Sequence, residues 1–592
     1  MKPLTLGFDG RGQPIRLLPD DRRIHMHVIG SSGSGKSKFL ESMMRGDLRN
    51  GQGFCLLDPH GSLYEAVVDY CARYPTLARN VVLLNPSAGD AVVGFNPFQR
   101  TSEDSIAVQV DNRITATMHA WGVRNTDETP TLERTLRLIY TVVLEHNLGL
   151  PQARHLINFE SREIRVDLIE KLQTELVASE WRELQALKPN DWRHETLSAK
   201  NKLFRFLNSP PLMRCMGLPG RTLDLKAMMD EGKVLLVNLA RSKNFSKENA
   251  RVLGALLVNE FFEAAVLRPE RDGRGKKPKP YYLYMDEFQN FVSLDIADML
   301  DEVRKRGLFT VLAHQRLGQL EENVIDAILT NCRIKAVFGG LKAESAKLTA
   351  QELFIGKLDP YRVMAAIYQT KFWPKYTRDK VYTRGTSHST NRSYTSTTGG
   401  AESSSATASD GSSQAFVYDD WFSLPQLAGS RTEIVSRGGA SQTSNSSSWS
   451  AGSTEGAGDT ESESVADIPI FVPVPFQELS SVQFMPIETQ LHLMTAALKE
   501  QFPRHCFIKI QQHDTEPLLV PNVEDVYVPR TNRQWWINKS LSASAALPPA
   551  ELDGLLKVQE SALLLSVGLD AAIQSRCGPA SRPGAEFPAS RT

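Results

Sequence analysis

The sequence predicts an α/β protein with a mainly parallel, doubly wound sheet. It also predicts an inserted all-α domain and a Ser/Thr/Gly-rich C-terminal region with a small α+β element. Three observations lead there. Short, unbroken apolar runs recur, each followed by a helical stretch. Such runs suit strands buried on both faces of a parallel sheet, and their alternation with helices gives a doubly wound order. Between residues 101 and 225 the pattern turns helical only. At 592 residues the chain is also too long for one ordinary domain.

Composition narrows the class. Hydrophobic content of 41% and charged content of 23% are those of a globular protein. The 68 basic and 68 acidic residues cancel, so any contact with nucleic acid must come from a local patch or an assembled channel. Cys55, Cys71, Cys215, Cys332, Cys506 and Cys577 form no C-x-x-C pair. That argues against zinc and a disulfide framework and for a reducing cytosol. No apolar run is long enough to span a bilayer. The best one, VLGALLVNEFFEAAVL at 252–267, carries Glu260 and Glu263 and reads as a buried helix. With no signal-peptide core either, the expectation is a soluble, cytoplasmic protein without a transmembrane segment.

Along the chain, residues 1–100 hold a strand at 25–29, a helix from Lys36 onward, and strands at 53–58 (GFCLLD) and 80–85 (NVVLLN). The insertion at 101–225 contains PTLERTLRLIYTVVLEHNL and VDLIEKLQTELVASEWRELQAL, with apolar residues spaced near 3.6. The sheet resumes over 226–380 with KVLLVNLA, YYLYMD, FTVLAHQ and RIKAVFGG. Residues 381–467 are dense in Ser, Thr and Gly around one apolar island at 416–429, and two weakly alike subsegments start at Gly385 and Gly439. This region reads as a flexible linker or as polar β-ribbons. Strand, helix and strand patterns over 468–530 suggest the small α+β element, and 531–592 a short helix and a loose tail.

The chemistry begins at Gly30-Ser31-Ser32-Gly33-Ser34-Gly35-Lys36-Ser37, which fits G-x-x-x-x-G-K-[ST] at every fixed position. The glycines let the backbone fold around a polyphosphate with N–H groups inward, at the N-terminus of the following helix. Lys36 would reach the β- and γ-phosphates, and Ser37 would place its hydroxyl on Mg²⁺. The run YYLYMDEFQNF matches a Walker B strand. There Asp286 would hold the metal's water shell and Glu287 would polarise the attacking water. Gln315, at the end of FTVLAHQ, is placed to sense the γ-phosphate. Within EVRKRG, Arg304 and Arg306 are candidates for a cation donated to a neighbouring subunit, or a solvated helix end. The basic run RPERDGRGKKPKP reads as a surface loop or a phosphate-contacting element.

Together GSSGSGKS, LLDPHGSL, NPSAGDAVVGFNPF, the all-α insertion, YLYMDEFQNF and LAHQRLGQL resemble the HerA/FtsK superfamily of ring ATPases. The likeness is to its conjugative coupling proteins of type IV secretion (TraG/TraD type), and it covers about residues 20–355, more loosely 465–530. It implies a RecA-like P-loop NTPase that hydrolyses ATP with Mg²⁺ and moves single- or double-stranded DNA through a homo-hexameric ring. It also implies relaxase or secretion-channel partners. By the same resemblance Gln315 matches the sensor glutamine, Arg304 the trans-acting arginine, and Asp58 lies near the nucleotide pocket. Two departures stand out. Membrane-bound members carry N-terminal transmembrane helices, whereas this phosphate loop begins at residue 30, so recruitment to the inner membrane would fall to a partner. Gly340 also stands where a second basic residue is expected. Two other readings remain: a soluble HerA-like motor working with a nuclease, and a nucleotide-switched scaffold.

Overall fold

Strands that bury every side chain cannot lie at a surface, and five such strands fix the middle of this protein. The computed structural model describes residues 2–100, 105–123, 129–271, 273, 275–291, 296–388 and 459–566. The island at 416–429, the subsegment from Gly439, Cys577 and the end of the C-terminal tail lie outside them. In chain order the strands are β1 (Leu4–Phe8), β2 (Pro14–Leu17), β3 (Met26–Ile29), β4 (Phe54–Asp58), β5 (Val81–Leu84), β6 (Val234–Asn238), β7 (Tyr281–Met285), β8 (Leu308–His314), β9 (Ile334–Phe338), β10 (Val363–His388), β11 (Asp459–Phe484), β12 (His505–Ile510) and β13 (Glu516–Leu519). The helices are α1 (Lys36–Asn50), α2 (Ser62–Arg73), α3 (Ile106–Ala120), α4 (Pro130–Glu145), α5 (Ala153–Ile157), α6 (Arg162–Glu170), α7 (Glu175–Ala186), α8 (Pro189–Leu207), α9 (Pro210–Met216), α10 (Leu225–Glu231), α11 (Lys247–Val266), α12 (Ile296–Lys305), α13 (Glu322–Asn331), α14 (Ala343–Phe354), α15 (Ile487–Lys499), α16 (Arg530–Ala543) and α17 (Pro549–Ser566).

The described chain forms two units, residues 1–356 with 491–592, and residues 357–490. The first is built on an 11-stranded sheet in the order β2-β1-β13-β12-β9-β3-β8-β7-β4-β6-β5. Strands β9, β3, β8, β7, β4, β6 and β5 run parallel. Among them β3, β4, β7, β8 and β9 are buried at every position, as continuous apolar runs require. This is a RecA-like arrangement. The ends of β3, β7 and β8 converge at one edge, because β3 pairs with β8 and β8 with β7.

The segment 468–530 is divided between the two units, belonging to the second up to Gln490 and to the first from Leu491. Strand β12 pairs antiparallel with β9, Cys506 opposite Phe338 and Ile508 opposite Ala336, and β13 continues to β1. The edge of β9 would otherwise present unpaired backbone groups, and only the folded chain shows which segment covers them. IPIFVPVPFQEL belongs instead to β11, which pairs with β10 from Val363↔Phe484 to His388↔Asp459. Of the two readings of 381–467, the described ends are strands. Pro374 faces Pro473, and Phe372 faces Pro475. Proline offers no N–H to a further strand, which suits a two-stranded ribbon. The ribbon keeps Phe372, Trp373 and Tyr376 exposed.

Between β5 and β6 the described elements are helices α3 to α10. Arg113 on α3 is buried and binds Glu260 and Glu263 of α11, with Nη1 2.7 Å from Glu263 Oε2. The two acids inside the apolar helix therefore serve to attach the insertion. At the C-terminus, Arg533 of α16 donates to Asp69 of α2 at 2.7 Å, and Ser540 Oγ donates to the Val81 carbonyl at 2.6 Å. Arg214 of α9 meets Asp553 of α17. Thus α16 and α17 join the sheet edge to the insertion.

One buried polar cluster holds α1 against β7. Arg22 donates to Asp47 Oδ2 at 2.6 Å and to the Tyr284 hydroxyl at 2.7 Å, and that hydroxyl donates to Asp47 at 2.6 Å. The guanidinium also sits 3.7 Å from the Tyr282 ring centroid. Asp47→Ala is expected to destabilise the fold by about 3–5 kcal/mol, because it leaves a buried guanidinium uncompensated. Tyr284→Phe should cost about 1 kcal/mol, since the ion pair survives. Urea unfolding of both variants checks the order; equal effects would contradict it.

Candidate nucleotide site

The phosphate loop leaves β3 at Gly30 and enters α1 at Lys36. Gly35, at φ 108°, is the N-cap of α1; no side chain caps this end, and no acid lies in the first turn. Its N–H groups and the helix dipole are thus left to an anion. Ser34 Oγ donates to the Ser31 carbonyl at 2.8 Å, and Ser31 Oγ donates to the Gly339 carbonyl at 3.1 Å. Ser32, Gly33 and Ser37 are exposed on the loop and the first turn of α1.

Lys36 is buried, and among the described residues its Nζ has no hydrogen-bond partner. Its nearest acid is Glu287, at 3.6 Å, an ion-pair separation longer than a hydrogen bond. Burial holds the Lys36 ammonium below its usual range, while Glu287 and Asp286 pull the other way. Glu287 itself is in the left-handed region at φ 47°, a strained conformation for a side chain of its size. Three groups hold it there. Gln315 Nε2 donates to Oε1 at 2.7 Å, Gln289 Nε2 donates to Oε2 at 2.7 Å, and Asn290 Nδ2 donates to the backbone carbonyl at 2.9 Å. Burial lifts the carboxyl of Asp286 to about 6, with Lys36 opposing and Asp58 and Glu287 adding.

These residues fit a magnesium polyphosphate. The loop and the uncapped helix suit phosphate oxygens, and Lys36 lacks an acceptor at hydrogen-bonding distance. Ser37 and Asp286 offer hard oxygen donors, of which Mg²⁺ needs few beyond phosphates and water.

Residues far apart in sequence thus meet: Lys36, Asp286, Glu287 and Gln315. Asp58 lies beside them, and Arg304 does not. Asp58 ends β4 near Asp286, and its oxygens accept from the backbone N–H groups of His60 and Tyr64, both at 2.8 Å. Those bonds hold the DPHG turn and fix Asp58 where its charge helps raise the carboxyl of Asp286. Arg304 pairs with Asp301 at 3.0 Å and precedes β8, whereas Gln315 follows it. Seven residues of strand separate the two ends by about 20 Å, so Arg304 cannot reach the phosphates of its own chain. Arg306 donates to the Arg268 carbonyl at 2.6 Å. In the basic run, Arg268 is buried against Asp230.

The supports of the loop were not legible in the sequence. A side chain on Gly340, at φ 77°, would place its Cβ 2.1 Å from Ser31 Oγ, so a basic residue has no room there. Arg504, itself at φ 70°, donates its N–H to the Ser34 carbonyl at 2.8 Å. Its Cα lies 3.0 Å from where a Cβ on Gly35 would be. Gln289 and Asn290 stand inside the quoted DEFQN, and a polar run beside the paired acids was the available signal.

Residues 280–360 match the family described as the TraM recognition site of TraD and TraG. No curated protein matches the chain. Among solved structures, the unbound conjugative coupling protein TrwBΔN70 aligns with a TM-score of 0.49 at 13% identity, covering 89% of this chain and 91% of that one. TrwB in complex with ADP and Mg²⁺ aligns with a TM-score of 0.42 at 17% identity, covering 59% and 78%. VirB4 of Thermoanaerobacter pseudethanolicus gives 0.40 at 14% identity, covering 59% and 87%. Likenesses this distant leave function to the chain's own residues.

Three buried histidines give the fold a pH signature. Burial lowers His25 to about 4 and His27 to about 3, and puts His314 well below its usual value. An unfolded histidine titrates near 6.5, so the stability these rings contribute is complete above that pH and is lost as pH falls toward 4. The raised Asp286 acts oppositely, since the stability it contributes is complete below about 3.8 and is lost as pH rises through about 6. Three groups outweigh one. The unfolding temperature should be lower at about pH 5 than at about pH 7.5; scanning calorimetry at both checks the sign.

Proposed function

We propose that this chain is an ATP-hydrolysing motor of the conjugative DNA-transfer class, working as a homo-hexameric ring on single- or double-stranded DNA. The contact of Lys36 and Gln315 with one carboxylate oxygen of Glu287 carries the reading. A buried lysine whose ion-pair partner among the described residues is the water-activating acid is arranged to change partners. With ATP in the loop, Lys36 turns to the β- and γ-phosphates and releases one oxygen of Glu287. That oxygen then accepts a proton from the attacking water, while the Gln315 amide reports the γ-phosphate to β8. Ser37 and Asp286 would hold Mg²⁺, which supplies charge neutralisation between the phosphates.

Arg304 serves the neighbouring subunit in this reading, since it cannot serve its own. The match of 280–360 to a TraM recognition site supports a partner from the transfer apparatus, either a relaxase complex or a channel component. Among the described residues no helix is long and apolar enough to cross a membrane.

Steady-state ATP hydrolysis without DNA, with single-stranded DNA and with duplex tests the proposal. About tenfold or greater stimulation by either form is expected of a motor; a flat, slow rate favours a nucleotide-switched scaffold. Lys36→Ala should lose ATP binding. Glu287→Gln should keep binding but slow turnover about a hundredfold or more. Activity regained on mixing Arg304→Ala with Lys36→Ala subunits would show that the arginine acts in trans, and no recovery at any ratio removes it from the site.

A further inference from the structure

Beneath the contact of Glu287 with Gln315 lie two buried histidines that this mechanism leaves unused. His27 on β3 and His314 at the end of β8 place their Nε2 atoms 2.7 Å apart. Their hydrogen bonds fix both tautomers. His314 Nδ1 is 3.1 Å from the carbonyl oxygen of Arg316, which can only accept, so the proton is on Nδ1. A neutral His314 then has a bare Nε2, and His27 must donate to it from its own Nε2. Lys335 and Lys36 are the charges that bear on the pair, and both cations favour the neutral rings that this arrangement requires.

The pair touches three parts of the site. His27 lies three residues before Gly30 of the phosphate loop, and His314 immediately precedes Gln315. The ring of Phe288, the residue after Glu287, meets His314 edge-on with centroids 5.1 Å apart. Two apolar side chains could hold β3 beside β8 without the desolvation cost of two imidazoles. Direction is what the imidazoles add. His314 binds His27 on one side and the carbonyl two residues ahead on the other, so the peptide carrying Gln315 is held at both ends.

We infer that His27 and His314 are positioning residues for hydrolysis. Their hydrogen bond aims the Gln315 amide at Glu287 and registers both against the strand that carries the phosphate loop. The inference rests on the ATPase reading of the site. Its test is the full-length His314→Phe variant, which keeps a ring against Phe288 but removes both hydrogen bonds. ATP affinity, read by titration with a fluorescent ATP analogue, should stay within about threefold of wild type, while kcat falls by about tenfold or more. His314→Asn keeps a donor for the Arg316 carbonyl and should recover part of that loss. If His314→Phe fails to fold, His27→Phe, which breaks only the inter-strand bond, should show the same split. An unchanged kcat, or equal losses of affinity and kcat, would overturn the inference and leave the pair as core packing. A wild-type protein that binds ATP but never turns it over would overturn the ATPase reading, and the inference with it.

Discussion

A buried ammonium with no hydrogen-bond acceptor of its own is the constraint around which this site is arranged. Burial works against the charged form of Lys36, and Glu287, 3.6 Å away, and Asp286 work for it. Such a pair is costly to desolvate and would be expensive to break without a substitute. A polyphosphate is the substitute that the loop geometry suits. The same carboxylate is gripped by Gln315 and Gln289, so removing its cation reorganises the contacts of β7 and β8 together. The resting structure and the proposed chemistry are thus two states of one small polar cluster.

Holding that cluster requires backbone conformations that the chain would not otherwise adopt. Glu287 and Arg504 are both in the left-handed region, and Gly35 and Gly340 sit where a Cβ would strike a neighbour. Conformations of this kind persist when the surroundings over-determine them. Here the surroundings are a sheet whose central strands are buried on both faces, fastened to α1 by the cluster of Arg22, Asp47 and Tyr284.

The parts added to the sheet attach on opposite sides of its parallel core, at β9 and at β5. β12 covers the open side of β9, and the loop before it lays Arg504 against the phosphate loop. The insertion is locked to α11 through Arg113, and α16 with α17 ties the insertion to the edge of β5. A load on the insertion is therefore a load on the sheet that carries the phosphate loop.

Much of the sheet was legible in the sequence. Apolar runs such as YYLYM and FTVLAH suit strands buried on both faces, and GSSGSGKS, MDEF and AHQ mark the strand ends that carry chemistry. Those are local signals, set by side-chain periodicity and by what a phosphate loop's backbone needs. Segments whose partners lie far away in the chain were not legible. HCFIKI reads as a strand anywhere, and only β9's open edge decides that it completes the main sheet. That the N–H groups of His60 and Tyr64 anchor Asp58 beside Asp286 is visible only in the fold, and Gly340 looks like a missing basic residue until Ser31 is seen against it. The sequence by itself determined which elements form and which residues stand at their ends. Tertiary structure decided which of those residues meet, because contact depends on strand order and backbone approach, which no local pattern encodes.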